Sequence, residues 1–191
     1  MQSECRVLVM KVRLVRPSWH VSEPTAETNE GLGLLDGVWR EATNLFMIHR
    51  ELRKGMGKPE PLGIQAFLND VISQKFLDAG WAGDQGRFIK GRTWFRITFR
   101  HQMSLGSDFY DAIRLPKAED IEQCVILAAD DDFLKVITPR DWRSLCSFSK
   151  LSAQMSQMEG SFSPPLFIGE LKPLSELSPK VHGVIYGSRL R

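Results

Sequence analysis

The run "QCVILAA" (residues 123–129) constrains the fold more than any other stretch of the chain. Successive side chains of a strand point to opposite faces, so a strand apolar at nearly every position must be covered on both sides. It therefore belongs in the middle of a sheet, in a central or parallel position, with helices packed around it. The chain supplies such helices. From about 33 to 54, Leu34, Leu35, Val38, Trp39, Ala42, Leu45, Phe46, His49 and Leu52 recur at steps of three and four. From about 64 to 79, Ile64, Phe67, Leu68, Val71, Ile72, Phe76 and Ala79 do the same, and Gly80 suits a C-terminal cap.

Further segments complete the outline. Residues 5–16 alternate as a strand, with Leu8, Met10, Val12 and Leu14 on one face, until Pro17 ends it. "SEPTAETNEG" reads as a polar loop, and "RKGMGKPEPLG" (53–63) as a long surface connection or lid. Glycines divide residues 80–100 into a hairpin or a bent strand pair. "SLGSDFYDAIRL" predicts a short helix behind a serine cap, Asp130-Asp131-Asp132 a solvated turn, and Thr138-Pro139-Arg140-Asp141 a helix start. "LFIGEL" predicts a last strand. The order of elements implies an α/β fold of α+β character, a mixed central sheet flanked by helices. It is expected to form one domain over residues 1–172, followed by a C-terminal tail at 173–191.

With 25 basic and 23 acidic residues the chain is nearly neutral, so only the distribution of charge bears on a partner. Cys5, Cys124 and Cys146 are odd in number and widely spaced, which suits neither a disulfide scaffold nor a metal site. The start does not read as a signal peptide, and no run nears the roughly 20 apolar residues of a membrane span. A cytoplasmic protein without a membrane partner is expected.

Charge is concentrated in "RTWFRITFRHQ" (92–102). At a period of two, Thr93, Phe95, Ile97 and Phe99 share one face, while Arg92, Trp94, Arg96, Thr98 and Arg100 share the other. From Arg87 to Arg100 there are five basic residues and no acid. Two readings follow: contact with phosphates, with Trp94 stacking or packing beneath the guanidinium groups, or a solvated face whose arginines pair with the acidic stretch 108–132. Asp108 and Asp111 suit helix capping and surface charge better than a cation site, and His49 reads as a core or interface histidine. "GLGLLDG" lacks the Lys-Ser/Thr of a phosphate loop.

"AFLNDVISQKFLDAGW" (66–81), "WFRITFRHQ" (94–102), "CVILAA" (124–129) and "PLFIGEL" (165–171), taken in order, resemble restriction endonucleases of the BglII and BstYI type, within the PD-(D/E)XK nuclease fold. The resemblance spans residues 33–171. It implies a Mg²⁺-dependent nuclease that binds duplex DNA as a dimer, with an acid on one strand and an acid plus a metal-orienting residue on the next. The chemistry needs them, because a hard cation takes oxygen ligands and must activate water at the phosphodiester. If "FRITF" overlies the motif strand, those positions hold Arg96 and Thr98, and arginine cannot ligate a cation. Asp84 is the only carboxylate between Asp78 and Asp108.

The expectation is therefore a DNA-binding, restriction-endonuclease-like protein that has lost its metal site and uses no cofactor, a recognition or scaffold subunit of a defence or mobile-element system. Lys54, Lys58, Arg87, Lys90, Arg92, Arg96, Arg100 and His101 are its candidate nucleic-acid contacts. The alternatives are an active Mg²⁺ nuclease whose acids have migrated, with Asp84 and either Glu41 or Asp108 as ligands, and a protein-interaction module. A homodimer or a protein partner in a larger assembly accompanies these readings.

Overall fold

The computed structural model describes residues 10–15, 23–61, 63–158, 161–162 and 165–173. Six strands form one sheet: β1 (Met10–Val15), β2 (Ala82–Asp84), β3 (Arg87–Lys90), β4 (Thr93–Thr98), β5 (Gln123–Ala129) and β6 (Leu166–Pro173). Their order is β1-β6-β5-β4-β3-β2. β4, β5 and β6 are parallel, and β1, β3 and β2 extend them in antiparallel pairing. The helices are α1 (Ala26–Leu34), α2 (Val38–Gly55), α3 (Gln65–Asp78), α4 (Leu105–Ala118), α5 (Asp131–Ile137) and α6 (Phe148–Gln157). This is a mixed sheet flanked by helices, as the apolar run requires.

All seven residues of β5 are buried, and their alternation divides two cores. Val125, Leu127 and Ala129 join Phe95, Ile97, Phe167 and Leu171 against α2, α3 and α5. Cys124, Ile126 and Ala128 join Trp94, Leu166 and Ile168 against α4 and α6. α3 ends as its sequence predicts. Gly80 adopts φ +80°, its N–H bonds Leu77 O, and Trp81 N–H reaches back to Phe76 O. The Trp81 and Phe76 rings then meet edge to face at 5.2 Å, the apolar contact that accompanies this cap.

Several expectations are corrected. Residues 26–31 of "SEPTAETNEG" are not loop but the start of α1, which Thr25 caps by accepting from Thr28 N at 3.1 Å. Gln123 at the start of β5 holds this cap to the sheet, accepting from Thr25 N at 2.9 Å and from Thr28 Oγ1 and donating to Glu23 O at 3.1 Å. α1 shows no apolar stripe because it buries Thr28 and Gly31, and a Cβ on Gly31 would lie 2.8 Å from the Phe95 ring. The single helix expected over 33–54 is broken at Gly37, whose φ is +76°. The triple aspartate is the start of α5, with Asp130 accepting from Phe133 N at 2.6 Å and the next two acids in the first turn. Thr138 therefore ends a helix instead of starting one, and α6 begins at Phe148. His49 lies exposed, its ring 5.4 Å from that of Phe67. Of the first predicted strand only 10–15 falls within the described residues, and the tail from 174 onward lies outside them.

Burial pushes the Cys124 thiol up to about 12, and burial with Asp108 nearby does the same to Cys146. The thiolate is the reactive form. At pH 8 a chromogenic disulfide reagent is expected to spare both in the native protein and to titrate them only in denaturant. Rapid native labelling of either position, located by peptide mapping, contradicts this.

Candidate nucleic-acid interface

The arginine strand is not a solvated face. β4 is buried at every position, since α4 covers the side that alternation assigns to arginine. Trp94 is 0% exposed inside that second core and is not available to stack on anything outside. Arg96, at 2% exposure, places Nε 2.9 Å from Oδ1 of Asp108, itself 1% exposed, and donates from Nη1 to Gln85 O at 2.9 Å. The Arg96–Asp108 contact is off the hydrogen-bond direction, and neither Asp108 oxygen has a well-aligned donor among the described residues. The attraction is therefore mainly Coulombic. Burial pushes the Asp108 carboxyl above its ordinary value, against the pull of Arg96, Arg100 and Arg87.

The rest of the cluster follows from register. Arg87 on β3 stands opposite Arg96 on β4, so both reach toward α4. On α4, Leu105, Asp108, Ala112 and Leu115 fall on the buried side at steps of three and four, placing one carboxylate inside an apolar stripe. Asp111, one turn on, receives Arg87 at 2.6 Å and Arg114 at 3.9 Å. Arg100 Nη1 lies 3.9 Å from Asp108. Four guanidinium groups thus meet two carboxylates, and three of them, Arg87, Arg100 and Arg114, are 45–49% exposed. The pairing with the acidic stretch is as the sequence allows; its burial is not.

The other candidates separate. Lys90 lies on the opposite face, donating to Glu30 Oε1 and to Ala79 O at 2.7 Å each. Arg92 pairs with Asp120 and Glu122 at the far end of β4, roughly 25 Å from Arg100 at strand rise. His101 Nε2 stands 3.6 Å from Asp141 Oδ2, both exposed. Lys54 and Lys58 are exposed where α2 ends. That is the same end of the sheet as Arg100, because α3 starts beside Phe99, to whose carbonyl Gln65 Nε2 donates at 3.0 Å. Sequence reading missed Arg114; the acid within the apolar stripe of α4 was the signal for its neighbourhood.

Among the described residues no group of three or more His, Cys, Asp or Glu gathers to hold a metal ion. Glu41 pairs with Lys75 at 2.8 Å in the layer of α2 and α3, and Asp108 lies across the sheet from it against Arg96. Asp84 ends the exposed edge strand β2. No described helix is long and apolar enough to cross a membrane.

No family model matches this chain, and no curated protein matches it significantly. Among solved structures, restriction endonuclease BglII in complex with a DNA 16-mer is similar at 13% identity and a TM-score of 0.45. The alignment covers 54% of this chain and 52% of that one, so this chain spans about half the length of the structure it matches.

Proposed function

We propose that the protein binds DNA through the cluster beneath and beside α4 and does not cleave it. The observation that carries this reading is the surplus of guanidinium at one place: Arg87, Arg100 and Arg114 half exposed around Asp108, which Arg96 engages from below, and Asp111, which Arg87 and Arg114 share. Arginine presents a planar fork of donors that suits phosphate oxygens, and its spare donors here face solvent. Lys54 and Lys58 lie exposed at the end of α2, in the layer across the sheet from α4, and stand apart from this cluster. Arg96 acts as the floor of the cluster, fixed by Asp108, and does not itself touch a phosphate. The arginine where the resemblance calls for an acid supports a role in recognition or scaffolding instead of hydrolysis.

The test is a low-salt binding titration with labelled DNA. Binding is expected to weaken steeply with salt, since each neutralised phosphate releases counterion. Arg100→Glu with Arg114→Glu is expected to weaken it about tenfold or more, because each reversal turns attraction into repulsion. Absence of binding at low salt, or indifference to both reversals, overturns the reading. A parallel incubation of plasmid with Mg²⁺ or Mn²⁺ is expected to leave it intact; nicking that a chelator stops and Asp84→Ala removes establishes the active nuclease instead.

A further inference from the structure

Across the sheet from the arginine cluster, an open cleft of about 410 Å³ lies between the start of α3 and the turn that follows α5. Backbone contacts fix its shape. Ile64 N–H bonds Ile137 O at 3.1 Å, and Gly63 comes so near that a Cβ there would lie 2.6 Å from the same oxygen. Gln65 ties the cleft to β4 and to the turn, donating to Phe99 O at 3.0 Å and accepting from Thr138 Oγ1 at 2.7 Å. Asp141 N–H bonds Thr138 O at 3.2 Å and closes the turn that carries Arg140.

The groups left over in the lining are mostly donors. Arg140 is exposed and forms no ion pair among the described residues, whereas every arginine of the α4 cluster is drawn to an aspartate. Asn69, one turn along α3 from Gln65, lines the cleft with an amide that has no hydrogen bond to the described residues. No side chain caps α3 and no acid stands in its first turn, which leaves the helix dipole uncompensated beside these two groups. A guanidinium fork and an amide on facing walls match the oxygens of a phosphoryl group. The volume lies within the roughly 300–1,000 Å³ of small-molecule sites, so the phosphoryl brings an organic group with it. Asp141, the one carboxylate in the lining, accepts from Ser144 Oγ at 2.6 Å and stands 3.6 Å from His101 Nε2. It offers an acceptor to a hydroxyl or amino group, which a sugar or a base carries. Going beyond the DNA reading and using no residue of its cluster, we infer that this cleft binds a nucleotide, its phosphoryl group on Arg140 and Asn69 and its nucleoside toward Asp141. A free mononucleotide and the terminal nucleotide of a DNA strand present the same chemistry.

Isothermal titration of the full chain with a deoxynucleoside 5′-monophosphate, beside the unphosphorylated nucleoside, tests this. The nucleotide is expected to bind at least about tenfold more tightly than the nucleoside, and Arg140→Ala to remove about that preference. Ala66→Asp, which puts a carboxylate in the first turn of α3, is expected to weaken the nucleotide about tenfold or more as well. Both positions are exposed and an acid there complements the helix dipole, so neither variant is expected to lower the melting temperature. Oligonucleotides with a 5′-phosphate or a 5′-hydroxyl identify the source. A preference for the phosphorylated strand that Arg140→Ala removes makes the ligand a strand end; equal binding of both strands, with the mononucleotide still bound, makes it a free nucleotide. No nucleotide binding, equal binding of the nucleoside, or indifference to both substitutions overturns the inference. None of these outcomes bears on the DNA reading, which the reversals of Arg100 and Arg114 test on the other face of the sheet.

Discussion

Asp108→Ala is expected to cost the fold about 3–5 kcal/mol, read as a lowered urea midpoint at unchanged slope. The variant leaves the Arg96 side chain, 3% exposed, with Gln85 O as its one hydrogen-bond partner among the described residues and with Arg100 and Arg87 adding repulsion. Arg96→Met combined with Asp108→Leu should behave differently. Replacing a buried ion pair by apolar side chains is often neutral, or stabilising by about 1–4 kcal/mol, because the desolvation of both charges is removed with them. Burial dominates both members, lowering the Arg96 guanidinium and raising the Asp108 carboxyl, as expected of a pair whose attraction is spent against desolvation. A single variant as stable as the parent, or a double variant worse than the single, refutes this account. A stable double variant would also isolate the floor of the cluster from its rim, since Arg87, Arg100 and Arg114 remain for DNA.

Gly86→Ala is the second large effect expected, at about 3 kcal/mol of destabilisation. Gln85 and Gly86 form the two-residue turn between β2 and β3, with φ of 46° and 78°, the left-handed pair that such hairpins use. A Cβ on Gly86 would lie 2.2 Å from the Ile97 carbonyl oxygen. That oxygen belongs to backbone, and Ile97 N–H bonds Gly86 O at 2.7 Å, so the strand cannot withdraw without breaking its ladder. The same movement would draw Gln85 O away from Arg96. Gly106→Ala on α4 is the control: nothing crowds it, and it is expected to gain roughly 0.5–1 kcal/mol from helix propensity. Thermal unfolding of the pair decides, and equal melting temperatures refute the strain argument.

How far the sequence was legible depends on whether a signal is local. The Gly80 cap and the stripe of α3 are, and both stand in the structure. α1 was invisible because its buried side is Thr28 and Gly31, which satisfy a polar network and a close approach to Phe95 and leave no apolar period to read. α5 was missed because its seven residues span barely two turns. In both cases a capping side chain, Thr25 or Asp130, was the available sign.

The same division holds for the site. Alternation by itself put Trp94, Arg96 and Thr98 on one side of β4 and the phenylalanines on the other, and the apolar run put β5 at the centre of the sheet. Whether the arginine side met water depended on α4, whose Asp108 lies 12 positions downstream of Arg96, and no period within either segment encodes that contact. Tertiary packing therefore turned one basic strand into three kinds of arginine: Arg96 buried as a structural cation, Arg92 paired at the far end, and Arg100 left half exposed at the rim with Arg87 and Arg114. Charge is written in the sequence, but its solvation is set by what packs over it, and solvation decides whether an arginine holds the fold together or remains available to a phosphate.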